Sequence, residues 1–147
     1  EVLADRIHIG FLAGVGTRHS TNYGDLTPIS VPGPGPSVTA DVTSGSAIVM
    51  LSCRMDAHLG TGTSNTGFMS FEVSGATSIA AQDGGYELGL SGPDSAGVGV
   101  GPISASRVRA IAGLSPGENT FTAKFRTGSD STSAVTFSSL EIVVIAL

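Results

Sequence analysis

The chain consists largely of short runs of β-forming residues that are separated by glycine, proline, asparagine, aspartate or serine. In several runs apolar residues alternate with polar ones. Within Gly67 to Ser74, for example, Met69, Phe71 and Val73 share one face. Such alternation predicts half-buried strands, and no segment of helix length shows apolar residues at a 3.6-residue period. The pattern therefore predicts an all-β fold.

The predicted strands are mostly joined by short turns, which is typical of an antiparallel two-sheet β-sandwich. We expect a jelly roll of about eight strands rather than an immunoglobulin-like sandwich, because the chain lacks the Cys…Trp…Cys signature of that fold. The less regular part of the prediction comprises a weak strand at Thr77 to Ala81 and two separate strands at Thr132 to Phe137 and Leu140 to Leu147.

The segment Gly14 to Ser37 shows no alternation and contains four prolines. Because proline lacks an amide donor and restricts the backbone, this composition predicts an extended arm. We therefore divide the chain into an N-terminal strand and Pro/Gly-rich arm (1–37) and a β-sandwich domain (38–147). A long irregular segment in a compact domain is usually functional. The prolines, which are candidates for an attachment segment, are Pro28, Pro32, Pro34 and Pro36.

Composition excludes several functional classes. The 147 residues suit one domain, and the net charge of −5 without any basic run argues against a nucleic-acid-binding surface. No stretch approaches the roughly 20 apolar residues that span a bilayer, so we expect no membrane insertion. The single Cys53 cannot form an internal disulfide, which fits synthesis in a reducing cytoplasm. The chain begins with Glu1 rather than Met, so we expect processing or preceding residues.

The last predicted strand is apolar on both faces. One face carries Leu140, Ile142, Val144 and Ala146, and the other carries Val143, Ile145 and Leu147. In a lone sandwich one of these faces would meet water, so another element must cover it. Two alternatives remain open: residues 1–37 fold over the strand, or a second subunit packs against it. The candidate oligomer interface is Val143, Ile145 and Leu147.

One motif points towards hydrolase chemistry. Gly113 to Gly117 matches G-x-S-x-G, in which a strand-to-helix turn exposes a nucleophilic serine. Here β-type runs flank the motif on both sides, and Pro116 and Gly117 are typical turn residues. We therefore interpret the motif as a turn and expect no catalytic residue.

The remaining candidate site residues give weaker signals. His8, His19 and His58 lack metal-ligand spacing, and His8 is expected on the polar side of the first strand. Cys53 shares a face with Val49 and Leu51, which predicts a buried thiol. The carboxylates near loops show no calcium-binding register, so we expect neither metal nor cofactor. They are Asp25, Asp41, Asp56, Asp83 and Asp94, and the aromatic residues that could stack on a sugar are Tyr23, Phe68 and Tyr86.

Four segments together resemble the β-sandwich domains of tailed-bacteriophage structural proteins. They are AIVMLSCRM, GFMSFEVSGATS, the turn AGLSPGENTFTAKFR and the ending AVTFSSLEIVVIAL, and the resemblance covers residues 38–147. It implies a jelly roll like those of tumour necrosis factor and C1q. The virion proteins that it indicates are head-decoration proteins or fibre tips, and such domains commonly trimerise.

The resemblance implies a non-enzymatic function. The leading expectation is a non-enzymatic virion protein, a capsid decoration protein that forms a homotrimer and binds the major capsid protein. The alternative is a receptor- or glycan-binding tip of a tail fibre or minor tail protein, with a host-surface glycan as its partner. A serine or glycoside hydrolase is the third hypothesis.

Overall fold

The computed structural model of the chain describes residues 6–30, 34–57, 66–91, 102–128 and 135–147. Their regular structure is β, as the sequence pattern predicts. The strands are β1 (Ile7–Arg18), β2 (Thr27–Pro28), β3 (Ser37–Val42), β4 (Ser46–Ala57), β5 (Thr66–Gly75), β6 (Leu88–Ser91), β7 (Ile103–Ala112), β8 (Gly117–Thr127) and β9 (Val135–Ala146).

The strands form two antiparallel sheets. Sheet A has the order β2-β1-β9-β4-β7, and sheet B has the order β3-β8-β5-β6. Without the two-residue β2, the orders 1-9-4-7 and 3-8-5-6 are those of an eight-stranded jelly roll. The predicted fold class is confirmed. The first strand lies inside sheet A, so residues 7–18 belong to the same sandwich as residues 38–147.

The core lies between the sheets and is filled by the alternating positions that the sequence indicates. Phe121 and Phe125 from sheet B are fully buried, as is Phe137 from sheet A, whose ring centroid lies 5.0 Å from that of Phe125. Seven core residues on β4, β5, β8 and β9 are at most 3% exposed: Val49, Leu51, Cys53, Phe71, Phe121, Phe125 and Val144.

The structure corrects the first strand in two respects. β1 continues to Arg18, beyond the point where the irregular segment Gly14 to Ser37 is expected to begin, with a bulge between Leu12 and Val15 where its register with β9 shifts. Pairing with β9 stabilises this glycine-containing extension, which local propensity does not favour. His8 does not lie on the outer side of β1, because it pairs with the buried Val144 and is partly buried on the inner side.

Two further expectations about strands are wrong. The predicted strands at Thr132 to Phe137 and Leu140 to Leu147 belong, in their described part, to the single strand β9. It passes through Ser139 at a φ of 50°, where a bulge shifts the pairing. The expected strand at Thr77 to Ala81 is reduced to one bridge between Ile79 and Val73, because the chain there crosses the outside of sheet B.

Candidate functional site: the outer face of sheet A

The outer surface of sheet A carries apolar side chains on four adjacent strands. The register places Ile9, Val143, Met50 and Val108 side by side in one row. Directly opposed side chains in neighbouring strands are close enough to contact each other. We call this surface the apolar face, and it comprises Ile7, Ile9, Phe11, Ile48, Met50, Val108, Ala110, Val143 and Ile145.

The apolar face is open to solvent at both sides. Ile9 and Phe11 on β1 are 65% and 60% exposed, and Val108 on β7 is 61% exposed. Apolar side chains of this size are normally buried unless they form an interaction surface. The face therefore has the character of an interface.

Gly10 explains why the large side chains of β1 point outwards. A Cβ on Gly10 would lie 2.9 Å from the Ser37 carbonyl oxygen and 2.9 Å from a Val38 methyl group. The inner side of β1 therefore has no room for a side chain at this position, since β3 packs directly against it. The neighbouring residues Ile9 and Phe11 are then directed to the outside.

Towards its other end the same outer surface becomes polar. Glu141 is partly buried between Phe11 on β1 and Ser52 on β4, its two register neighbours. Further along β4 lie Arg54, which is exposed, and Asp56. An apolar half and a charged half thus share one sheet surface.

The structure brings two of the three predicted interface residues into this surface. Val143 and Ile145 lie in the middle of the apolar face, whereas Leu147 follows the end of β9 and is 37% exposed. The opposite side of β9 is buried, as predicted. The residues that sequence reasoning missed come from β1, β4 and β7. The alternation in β4 and β7 was visible, but only the register shows that these strands flank β9.

The described part of the arm does not cover the apolar face. Residues 7–18 lie beside β9 as a strand, and the residues that follow run along β8. Gly24 exchanges backbone hydrogen bonds with Phe125, and the Pro36 carbonyl accepts a bond from Ala123. Within residues 6–30 and 34–37, the structure thus shows no arm residue lying over Val143 or Ile145.

The four candidate attachment prolines do not form one surface. Pro28 is an exposed residue of β2, Pro34 is exposed, and Pro36 is buried beside sheet B. Pro32 lies outside the described residues.

A polar cleft lies on the opposite side of the molecule, where the arm meets the segment that joins β5 to β6. Arg126 donates to both carboxylate oxygens of Asp83, at 3.1 and 2.8 Å, and the Tyr23 hydroxyl donates to the same carboxylate at 2.7 Å. The Arg126 guanidinium also lies 3.7 Å above the Phe68 ring. The walls of the cleft are Thr21, Asn22, Tyr23, Ala81, Gln82, Asp83 and Arg126.

These contacts change the acidities of the three groups in a consistent way. Burial and the hydrogen bond to Asp83 raise the pKa of Tyr23, so its hydroxyl stays protonated as a donor. The Tyr23 hydrogen bond lowers the pKa of Asp83, and the Arg126 contact lowers it further against an opposing effect of burial. The cluster is therefore a satisfied ion pair that fastens the arm to sheet B.

A second ion pair fastens the arm a few residues further on. Lys124 lies 2.7 Å from Asp25 of the arm and 3.3 Å from Glu72 of β5. Burial alone would lower the pKa of Lys124, but the hydrogen bonds to both carboxylates raise it overall. Ion pairs of Lys124 and Arg126 on the outer surface of sheet B thus hold the arm in place.

The G-x-S-x-G motif is a turn between β7 and β8. Gly113 and Gly117 have φ values of 80° and 118°, and the Ser115 amide donates to the Thr77 hydroxyl. The fully buried Asn119 closes the turn: its side-chain amide donates to the carbonyls of Ser115 and Gly117. Sequence reasoning identified the turn but missed the role of Asn119. The position of Asn119 just after the glycine turn could have indicated this role.

Those of the other candidates that lie among the described residues do not assemble into a site. Cys53 is buried, and desolvation raises the pKa of its thiol to about 12, which makes it inert. Among the described residues no group of three metal-binding side chains occurs. His58 and Asp94 lie outside them. The ring of Tyr86 contacts Phe71 in a T-shaped arrangement, and the Arg109 guanidinium lies 5.7 Å from its centroid. In the described part of the chain, no helix is long and apolar enough to cross a bilayer.

Comparisons with known proteins indicate the fold. No protein-family model and no curated protein match the chain. Among solved structures, Eiger TNF from S. frugiperda is similar over 96% of this chain and 91% of that one, with 13% identity and a TM-score of 0.54. Murine APRIL matches over 92% and 100%, with 14% identity and a TM-score of 0.42. A bacteriophage CBA120 tailspike domain matches over 93% and 19%, with 13% identity and a TM-score of 0.34. The chain thus has a jelly-roll β-sandwich fold that is similar to the fold of Eiger TNF.

Proposed function

We propose that this protein is a non-enzymatic structural protein on the surface of a bacteriophage virion, an oligomeric capsid decoration protein. It assembles as a homotrimer through the apolar face, binds the major capsid protein, and is made in the host cytoplasm. The observation that carries the assembly is the continuous apolar face on the outside of sheet A. The resemblance of residues 38–147 to phage β-sandwich domains supports the virion assignment.

Burial of the apolar face provides the driving force. Fully burying an aliphatic or aromatic side chain contributes about 1.5–3 kcal/mol. Ile9, Phe11 and Val108 alone leave more than half of their surface in water. A closed cyclic arrangement would bury the same patch on every subunit without leaving an open edge that polymerises.

Attachment to the capsid would use the exposed part of the arm. Pro28 and Pro34 are both exposed, and the ion pairs at Asp25 and Asp83 hold the neighbouring arm residues against sheet B. This arrangement leaves the apolar face available for the oligomer. One protein could then contact its own copies with sheet A and the capsid with the arm.

Two measurements test the proposal. Light scattering after size exclusion should give the mass of three chains at micromolar concentration. Immunogold labelling of intact phage particles should then place the protein on the head with the capsid symmetry. A single-chain mass across micromolar concentrations would contradict the trimer, and label confined to the tail would contradict the decoration role.

The alternative, a glycan-binding tip domain, is favoured by the polar cleft. Its amide, hydroxyl and carboxylate groups at Asn22, Tyr23, Gln82 and Asp83 are typical partners of sugar hydroxyls. A glycan array tests this role. Reproducible binding to a host-surface sugar that Asp83→Asn abolishes would favour the tip. Asp41→Asn is the matched control, since Asp41 is also an exposed carboxylate of the sheet B side.

A further inference from the structure

Glu141 and Arg54 are charges on a surface that the proposed oligomer buries. Glu141 adjoins the apolar face, two positions from Val143 on β9. Arg54 is the only basic residue among the described strand positions on the outer surface of sheet A. No described side chain forms a hydrogen bond or ion pair with either of them. Glu141 and Arg54 are therefore unpaired charges of opposite sign on the surface that carries the apolar face, and Asp56 adds a further negative charge beside Arg54.

We infer that Glu141 of one subunit forms an ion pair with Arg54 of the neighbouring subunit, and that this pair sets the register of the oligomer. The inference rests on the proposed assembly through the apolar face. Its partner is a second copy of this chain.

The cost of burial supports a pair at this position. Packing a copy against Phe11 and Val143 also removes water from the Glu141 carboxylate between them. Burying a carboxylate without a compensating partner is strongly unfavourable, whereas a charge-assisted hydrogen bond to a guanidinium offsets this cost. Opposed charges of this kind select the correct docking over like-charged alternatives.

The register of β4 and β9 gives the relative positions of the two residues within one chain. Glu141 is opposite Ser52, but Arg54 is opposite Ser138, so β9 has one more residue than β4 over this interval. The extra residue coincides with the bend at Ser139. Glu141 and Arg54 are therefore diagonal rather than directly opposed positions on the outer surface, and the structure shows no ion pair between them.

Charge reversal tests the pair. Glu141→Arg and Arg54→Glu should each raise the dissociation constant of the oligomer at least about tenfold. The double reversal should return it to within about threefold of wild type. Because all three changes lie at the surface, circular dichroism should show unchanged folding, and the neutral pair Glu141→Gln with Arg54→Gln provides a second, milder variant.

Mixing the two single variants distinguishes a pair between subunits from a pair within one chain. Native mass spectrometry of an equimolar mixture, with one variant isotopically labelled, should show mixed oligomers in excess of a random distribution. A mixture of Asp56→Arg with Arg54→Glu is the control: it carries the same net charges on the same surface and should show a smaller excess.

The outcomes separate this inference from the proposed assembly. An oligomeric wild type with no rescue in the double variant, or with random mixing, overturns the ion pair and leaves the assembly intact. Equal excess in the control mixture also overturns it, because general charge attraction would then suffice. A wild type that is monomeric throughout overturns both.

Discussion

The outer surfaces of the two sheets differ in chemistry and in what lies over them. Outside sheet B, the segment between β5 and β6 and the arm lie over the strands, and Lys124 and Arg126 bind their carboxylates. Ser70 of β5 is fully buried beneath the first of these segments. Outside sheet A, large apolar side chains such as Ile9 remain 65% exposed.

Under the proposed assembly, this difference separates contacts within one chain from contacts between subunits. Sheet B is completed by polar contacts within one chain, which surface charges and hydroxyls can supply at little cost. Sheet A carries an apolar surface that the described residues of one chain leave exposed, and an exposed apolar surface of this kind is typical of an interaction site. Changes to the two surfaces should therefore affect different equilibria.

The largest effect is expected from charging the centre of the apolar face. In Val143→Asp with Ile145→Asp, each buried and unpaired carboxylate costs about 3 kcal/mol or more. The combined loss of about 6 kcal/mol would raise the dissociation constant about 10,000-fold. Light scattering should show single chains. Ser74→Asp with Ser78→Asp adds the same charge at exposed positions on the sheet B side, and an equal effect there would contradict the assigned interface.

Two phenylalanines sharpen the comparison between folding and assembly. Phe121 of sheet B faces the core and is fully buried, whereas Phe11 of sheet A is 60% exposed. Phe121→Ala should lower the free energy of unfolding by about 3–5 kcal/mol, since it leaves a cavity. In a chain kept monomeric by Val143→Asp with Ile145→Asp, Phe11→Ala should change the free energy of unfolding by less than about 1 kcal/mol. In the wild-type chain, Phe11→Ala should weaken the oligomer. Urea titration measures the first effect, and a loss below about 1 kcal/mol for Phe121→Ala would contradict its place in the core.

Much of this architecture could be predicted from residue alternation, and the exceptions have local causes. The patterns in β4, β5 and β8 identify the core because the large apolar residues that alternate along each strand lie mainly on one side. Alternation in β1 gives no such answer, since its apolar side faces outwards and its inner side includes Gly10. That outcome depends on how close β3 approaches, which is a property of the packed sheets.

The candidate site was predictable only in part for a related reason. Val143 and Ile145 could be identified because β9 is apolar on both sides. Val108 and Met50 belong to ordinary alternating strands, and their place beside β9 depends on sheet order. The polar cleft likewise joins Tyr23 to Asp83, 60 positions apart in the chain. Neither residue belongs to a recognisable motif.

A smaller effect is expected from loosening the arm and the segment between β5 and β6, which lie over sheet B. Arg126 donates to both oxygens of Asp83 and stacks on Phe68, so Arg126→Met should reduce the free energy of unfolding by about 1–2 kcal/mol. Hydrogen exchange should increase at residues 21–25 and 79–85 without any change in oligomer mass. Arg107→Met, at an exposed position of β7, is the control. A loss of the oligomer in Arg126→Met would show that the two surfaces are coupled.

The smallest effect is the pH dependence of the stability that the contacts of these two segments contribute. The Tyr23 hydrogen bond and the Arg126 contact hold the pKa of Asp83 below its ordinary value of 3.8. A lowered pKa in the folded state adds stability above that value, and the contribution disappears as the pH falls through the folded pKa. Because the Asp83 side chain is 52% exposed, the contribution should be below about 1 kcal/mol.

Tyr23 gives the opposite dependence at the alkaline end. Its raised pKa contributes stability that is complete below its ordinary value of 10.0 and is lost as the pH rises above it.

Urea titrations of wild type and Asp83→Asn should therefore differ most between about pH 5 and 9 and converge below about pH 4. Tyr23→Phe should flatten the alkaline decline. A difference between wild type and Asp83→Asn that persists unchanged to pH 2 would show that Asp83 acts through packing and not through its charge.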